Sequence, residues 1–107
     1  MIIEYDKINR LPAHPGEVLK EELESRGISQ KSFAQCLGVS HTMLNEILNC
    51  KRPISSDFAL LVEAALGIDP ELLINMQTRY NMIQARQKPS LAKRIEEIKK
   101  IAASVML

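Results

Sequence analysis

Residues 29–51, SQKSFAQCLGVSHTMLNEILNCK, leave this chain little choice of fold. Ser29 is a favourable N-cap, residues 30–37 suffice for about two turns of helix, and Gly38 stands just past the last apolar residue, where a left-handed backbone is often needed. Ser40 then caps a second helix. The apolar residues Phe33, Ala34, Leu37, Val39, Leu44, Ile47 and Leu48 give each helix one stripe to bury and place Val39 as a plug in the turn. Ala34 is small where the second helix must cross the first closely.

Two short helices joined in this way form a helix-turn-helix, in which the first helix crosses a DNA backbone and the second enters the major groove. The second helix keeps His41, Thr42, Asn45, Glu46 and Asn49 on its outward face. An ordinary solvated face more often carries Lys, Glu and Arg, and here Glu46 is the one formally charged member. Asn pairs bidentately with adenine, and Thr offers thymine a hydroxyl and a methyl, so the expectation is a groove-reading face. Lys31, Lys51 and Arg52 are then expected to face phosphates.

A chain of 107 residues, 46% hydrophobic and 25% charged, is sized for one small domain. Its net charge of +1 argues against binding nucleic acid by bulk electrostatics. The charge is unevenly placed: residues 28–56 carry three basic and one acidic side chain, and residues 88–107 five basic and two acidic. The remaining segments are net acidic. No apolar run approaches the ~20 residues of a membrane span, and the N-terminus has no basic-then-apolar leader, so a cytoplasmic protein with no membrane association is expected. Cys36 and Cys50 are then reduced thiols. With His14 and His41 they lack metal-ligand spacing, and no Gly-rich phosphate loop, nucleophile elbow or carboxylate cluster points to catalysis. The expectation is no enzyme, no metal and no cofactor.

Residues 1–14 read as a short strand or an arm. Pro15 suits a first helical position, Glu17 lies near the positive end of the helix dipole, and Val18, Leu19 and Leu23 give the buried face up to Gly27. Pro53 turns the chain after the central motif, and Ser55 or Ser56 restarts it. Phe58, Leu61, Val62, Ala65 and Leu66 supply the next apolar face, closed by Gly67. Asp69 and Pro70 start a helix to about residue 87, with Leu72, Leu73, Met76, Tyr80 and Ile83 as its stripe and Ile74 and Met82 off it. After Pro89, the residues Leu91, Ile95, Ile98, Ala102 and Val105 recur at four- and three-residue steps. A helix this short needs its stripe covered, by its own core, a second subunit or a different protein. The whole reads as all-α.

The motifs His14-Pro15-Gly16-Glu17-Val18-Leu19, Gln30-Lys31-Ser32-Phe33-Ala34, Gly38-Val39-Ser40, Asn45-Glu46-Ile47-Leu48-Asn49, Lys51-Arg52-Pro53-Ile54 and the run from Ala65 to Gln77 occur in an order that resembles the Cro/C1-type (XRE) helix-turn-helix proteins. More narrowly it resembles the HigA-type antitoxins, also called plasmid-maintenance antidote or virulence-associated-protein-I-like. The resemblance implies a five-helix, lambda-repressor-like DNA-binding domain over residues 1–87, with the helix-turn-helix at 29–49 and residues 88–107 as an additional C-terminal helix for a dimer or partner contact. It implies a homodimer on a palindromic double-stranded operator that represses its own operon and neutralises a small RelE-like mRNA-cleaving toxin encoded by the adjacent gene. Carried onto this chain, it puts Gln30 and Ser32 at phosphates and Ser40, His41, Thr42 and Asn45 at the groove, beside the Lys31, Asn49, Lys51 and Arg52 already singled out. A stand-alone regulator of the same fold, or an interaction module that does not bind DNA, are the competing expectations.

Overall fold

The computed structural model describes residues 13–106, so the expected N-terminal strand or arm lies almost wholly outside the described residues. Within them the chain is all-α. Its six helices are α1 (Pro15–Arg26), α2 (Gln30–Leu37), α3 (His41–Leu48), α4 (Ser56–Leu66), α5 (Pro70–Arg86) and α6 (Pro89–Val105). Each of the first five starts on a side-chain cap. His14 accepts from the Gly16 N–H, Ser29 from Ser32, Ser40 from Met43, Ser55 from Phe58 and Asp69 from Glu71, all satisfying donors that have no partner inside the helix.

The turn between α2 and α3 closes as the sequence demands. Gly38 has φ 72°, its N–H donates to the Gln35 carbonyl at 3.2 Å, and the Val39 N–H donates to that of Ala34 at 3.1 Å. The same pair of bonds ends α3, from Cys50 to Ile47 and from Lys51 to Glu46, but the left-handed residue there is Cys50, at φ 63°. A side chain with a Cβ occupies a position that favours glycine.

The core gathers Leu19 and Leu23 of α1, Phe33 and Ala34 of α2, Leu44, Ile47 and Leu48 of α3, Phe58, Ala59, Val62 and Leu66 of α4, and Leu73 of α5, with Ile54 from the α3–α4 loop. The α3 helix packs on α1 and α2, and α4 lies between α2 and α5. Three faces differ from the expected stripes. In α1 the buried side is Pro15, Gly16, Leu19 and Leu23, and Val18 is only half-buried. In α4, Leu61 and Ala65 are exposed and Ala59 is buried, because the buried face must serve α2 and α5 at once rather than follow the bulkiest side chains. In α5, Leu72 is exposed while Leu73 and Gln77, one turn apart, point inward; Met76, Tyr80 and Ile83 flank them half-buried, and Ile74 packs against the core.

The last helix stands apart. No residue of α6 is buried, and its principal neighbour is α5. The radius of gyration, 18.0 Å, exceeds the ~13 Å of a compact domain this long, and the longest extent is 57 Å. The expected apolar stripe of α6 therefore does not fold back onto the core of its own chain.

Candidate nucleic-acid interface

The polar side of the start of α3 is presented to solvent. Ser40, His41 and Thr42 are exposed, as are Lys31 and Ser32 of α2, Asn49, and Lys51 and Arg52 of the following loop; Gln30 and Asn45 are half-buried. This partial burial of Asn45 comes from polar partners. Its Nδ2 donates to Gln30 Oε1 at 3.1 Å, joining the first residue of α2 to the middle of α3. Asn49 Nδ2 donates to the Asn45 carbonyl at 2.9 Å and to Asn45 Oδ1 at 3.2 Å. Both Nε and Nη2 of Arg52 donate to Glu46 Oε1, at 3.0 and 2.7 Å, so the loop cation is tied to α3, while Lys31 and Lys51 make no such contact among the described residues. The structure thus joins Gln30, Asn45 and Asn49 in one group and Glu46 and Arg52 in another, and leaves Ser32, His41 and Thr42 exposed on the surface.

The rear of α3 is fixed just as tightly. An added Cβ on Gly16 would lie 1.9 Å from the Ile47 carbonyl oxygen, so the start of α1 touches the end of α3 backbone to backbone. His14, 2% exposed, caps α1 through Nδ1, 2.8 Å from the Gly16 nitrogen, and sets its ring edge-on to Tyr80 with centroids 4.9 Å apart. Burial holds its pKa below the ordinary value, against the opposing pull of the Glu17 carboxylate and of a hydrogen bond to the Arg52 backbone. Burial likewise raises the Cys50 thiol, with Glu17 adding to it and Lys20 opposing. Gln77 completes the clamp. Its Oε1 accepts from the Ile54 N–H at 2.9 Å and its Nε2 donates to Asn81 Oδ1 at 2.9 Å, pinning the α3–α4 loop to α5.

Gln77 and Cys50 have no place among the expected site residues, and the tie that Gly16 makes lies beyond a motif quoted only for its order. A glutamine four residues after Leu73, on the buried face of a helix, is itself a signal: buried amides are retained where a backbone group needs a partner. Nothing in the local sequence marks Gly16, since its reason lies on another helix.

Chemically, the face from Ser40 to Asn49 offers hydroxyl, imidazole and amide groups on one short rod. Its width suits a major groove, and donors and acceptors of this kind read base edges. No helix among the described residues is long and apolar enough to cross a membrane.

Comparison with known proteins agrees with this geometry. The Helix-turn-helix family profile matches residues 19–73, which run from within α1 to the start of α5. Virulence-associated protein I of Dichelobacter nodosus is 42% identical over 81 residues, covering 74% of this chain and 75% of that protein. Antitoxin HigA-1 of Vibrio cholerae is 32% identical over 83 residues, or 77% and 78% of the two chains. Among solved structures, the Pseudomonas aeruginosa antitoxin HigA, determined with the higBA promoter, superposes with a TM-score of 0.72 at 32% identity, covering 81% of this chain and 94% of that one. A helix-turn-helix of these bounds, capped and clamped as described, with relatives of this identity over most of its length, makes the chain a member of the Cro/C1-type (XRE) helix-turn-helix family and, within it, of the HigA-type, virulence-associated-protein-I-like antitoxins.

Proposed function

We propose that this protein is a sequence-specific DNA-binding antitoxin that represses its own operon and neutralises a RelE-like, mRNA-cleaving toxin encoded beside it, working in the cytoplasm and without catalysis of its own. The observation that carries the reading is the exposed polar start of α3, from Ser40 to Thr42, continued by Asn45. In a homodimer two such helices would sit ~34 Å apart, one turn of B-form DNA, and read a palindromic operator. Ser40, His41, Thr42 and Asn45 face bases in this reading, Gln30, Lys31, Ser32, Lys51 and Arg52 face phosphates, and Asn49 supports the groove face. With Lys31 and Lys51 as its uncommitted cations, binding should weaken only moderately with salt, at a slope of ~0.9 per phosphate neutralised.

Residues 1–87 form the DNA-binding unit in this assignment, with the helix-turn-helix at 29–49, and residues 88–107 make the dimer or toxin contact. The exposed apolar stripe of α6 supports that division, because so apolar a surface marks an interaction site. Footprinting on the protein's own promoter tests the first half: protection of an inverted repeat is expected, and an unprotected promoter refutes operator binding. Co-expression with the neighbouring reading frame tests the second. Rescue of growth and co-purification are expected, whereas a neighbour with no toxicity and no binding leaves a stand-alone regulator of the same fold.

A further inference from the structure

We infer that Gln30 and Asn49 are positioning residues that lock the side-chain amide of Asn45 in one of its two flip states, so that Asn45 reads a single adenine; the inference rests on the operator-binding reading above. An asparagine amide has two hydrogens and two acceptor lone pairs, and rotating it by a half turn exchanges the two ends. In this chain the exchange is blocked by a polarity that begins at the backbone. The Asn45 carbonyl can only accept, and Asn49 Nδ2 lies 2.9 Å from it, so Asn49 must turn its amino group toward Asn45. That amino group also reaches Asn45 Oδ1 at 3.2 Å, which fixes the oxygen of Asn45 on the Asn49 side. The nitrogen of Asn45 then meets Gln30, 3.1 Å away, and requires its oxygen there. Flipping Asn45 alone would set oxygen against oxygen at Gln30 and amino group against amino group at Asn49.

The consequence is a defined remainder. With one hydrogen spent on Gln30 and one lone pair on Asn49, Asn45 keeps one N–H and one lone pair. Adenine presents that complement, the N7 acceptor and the N6 amino donor, whereas guanine presents two acceptors. The same polarity leaves the Nε2 group of Gln30 without a partner among the described residues, a donor suited to a phosphate oxygen. Asn49 spends its donor inside the protein, so its contribution to specificity passes through Asn45.

The test selects duplexes from a random-sequence pool with the full-length protein and its variants. Asn45→Ala identifies the base position read by Asn45. The parent is expected to prefer adenine there by roughly 5- to 150-fold, the discrimination of a good bidentate contact. Gln30→Met, which keeps the shape and loses the acceptor, and Asn49→Ala, which loses the donor, should each cut that preference to within about threefold, at that position and no other. Gln30→Glu keeps the acceptor, so it should weaken binding to all sequences and retain the adenine preference; a merely structural role would not produce that rescue. Melting temperatures check that each variant folds, and because Gln30 and Asn49 are tested separately, one that fails to fold leaves the other decisive. A parent that enriches no sequence overturns the operator-binding reading and this inference with it. A parent that enriches an operator with a base other than adenine at the Asn45 position, or that keeps its preference in both Gln30→Met and Asn49→Ala, overturns the inference alone.

Discussion

Replacing Gly16 with alanine separates two effects that usually travel together. Inside a helix the exchange is favourable by about 1 kcal/mol, because alanine orders more cheaply than glycine. Here the new Cβ would stand 1.9 Å from the Ile47 carbonyl oxygen and 3.0 Å from Nδ1 of His14, and to reach even 3.0 Å from the oxygen it must retreat by about 1.1 Å. Neither neighbour yields easily. The oxygen belongs to the backbone of α3 and accepts from the Cys50 N–H, and the imidazole is buried against Tyr80 as the cap of α1. Overpacking in a close-packed region costs about 1–3 kcal/mol and sometimes more, and this contact, backbone against backbone, belongs at the upper end. After the propensity gain, a net loss of about 1–2 kcal/mol is expected, which in a domain of this size lowers the melting temperature by roughly 4–16 °C.

Thermal melts and urea titrations of Gly16→Ala read this directly, and operator binding reads its second consequence. The displacement falls on the last turn of α3, so affinity should drop in samples that are still folded at the assay temperature. Gly67→Ala is the control: its Cβ would meet nothing within 4 Å, and with φ 74° it suffers only the left-handed strain of about 1–2 kcal/mol. It should lose stability without losing operator affinity. A Gly16→Ala protein as stable as the parent would refute the close approach of α1 to α3.

Three further substitutions probe the same clamp. Cys50→Gly puts glycine at φ 63° and should stabilise by up to about 1 kcal/mol, seen as a higher urea midpoint; a lower one would mean that the thiol packs better than its partial burial suggests. Gln77→Leu keeps the volume but strands the Ile54 N–H, 2.9 Å from the lost acceptor, and should cost about 1–3 kcal/mol by chemical denaturation, with no loss sinking the pinning role. For His14 the sign follows from its lowered pKa: the unfolded chain binds the proton more readily, near the ordinary value of 6.5. Stability should therefore be full above that pH, decline as pH falls below it, and level off once the folded pKa is passed. His14→Asn, which caps without titrating, should flatten that part of the urea-midpoint profile, and an unchanged slope would assign it to other groups.

What the sequence announced and what it concealed follow one rule. Ser29, Ser40, Ser55 and Asp69 cap the residues a few places beyond them, and Gly27, Gly38 and Gly67 all adopt positive φ, so these boundaries, set by chain neighbours, are readable, whereas the left-handed Cys50 that ends α3 carries no such mark. The outward faces of α2 and α3 were readable too, because helical periodicity alone separates Phe33 and Leu44 from Thr42. Ala59 against Leu61, and Gln77 against Leu72, were not. Which side of a helix is buried depends on the directions from which two other helices arrive, and hydrophobicity ranks Leu61 above Ala59 wherever they point. The Gln30–Asn45 bond spans fifteen residues of sequence and has no local sign.

The α6 helix carries its own requirement. Seventeen residues of isolated helix are near the limit of stability in water, and this one lacks a side-chain cap at its start and leaves Ile98 and Ile101 about half exposed. Among the described residues, the tertiary contact that would ordinarily hold such a helix comes chiefly from α5. In the proposed assembly a second subunit or the toxin covers the stripe, and ordering of the helix is then linked to association by mass action. Hydrogen exchange across residues 89–105 should accordingly quicken on dilution through the dissociation range, while the core amides of α1 to α5 keep their protection. Adding saturating toxin at the lowest concentration would restore slow exchange if the toxin is the covering surface and leave it fast if a second copy is. Exchange in α6 that is slow and independent of both concentration and toxin would show that the helix stands unaided, and the interaction role drawn from its exposed stripe would fall.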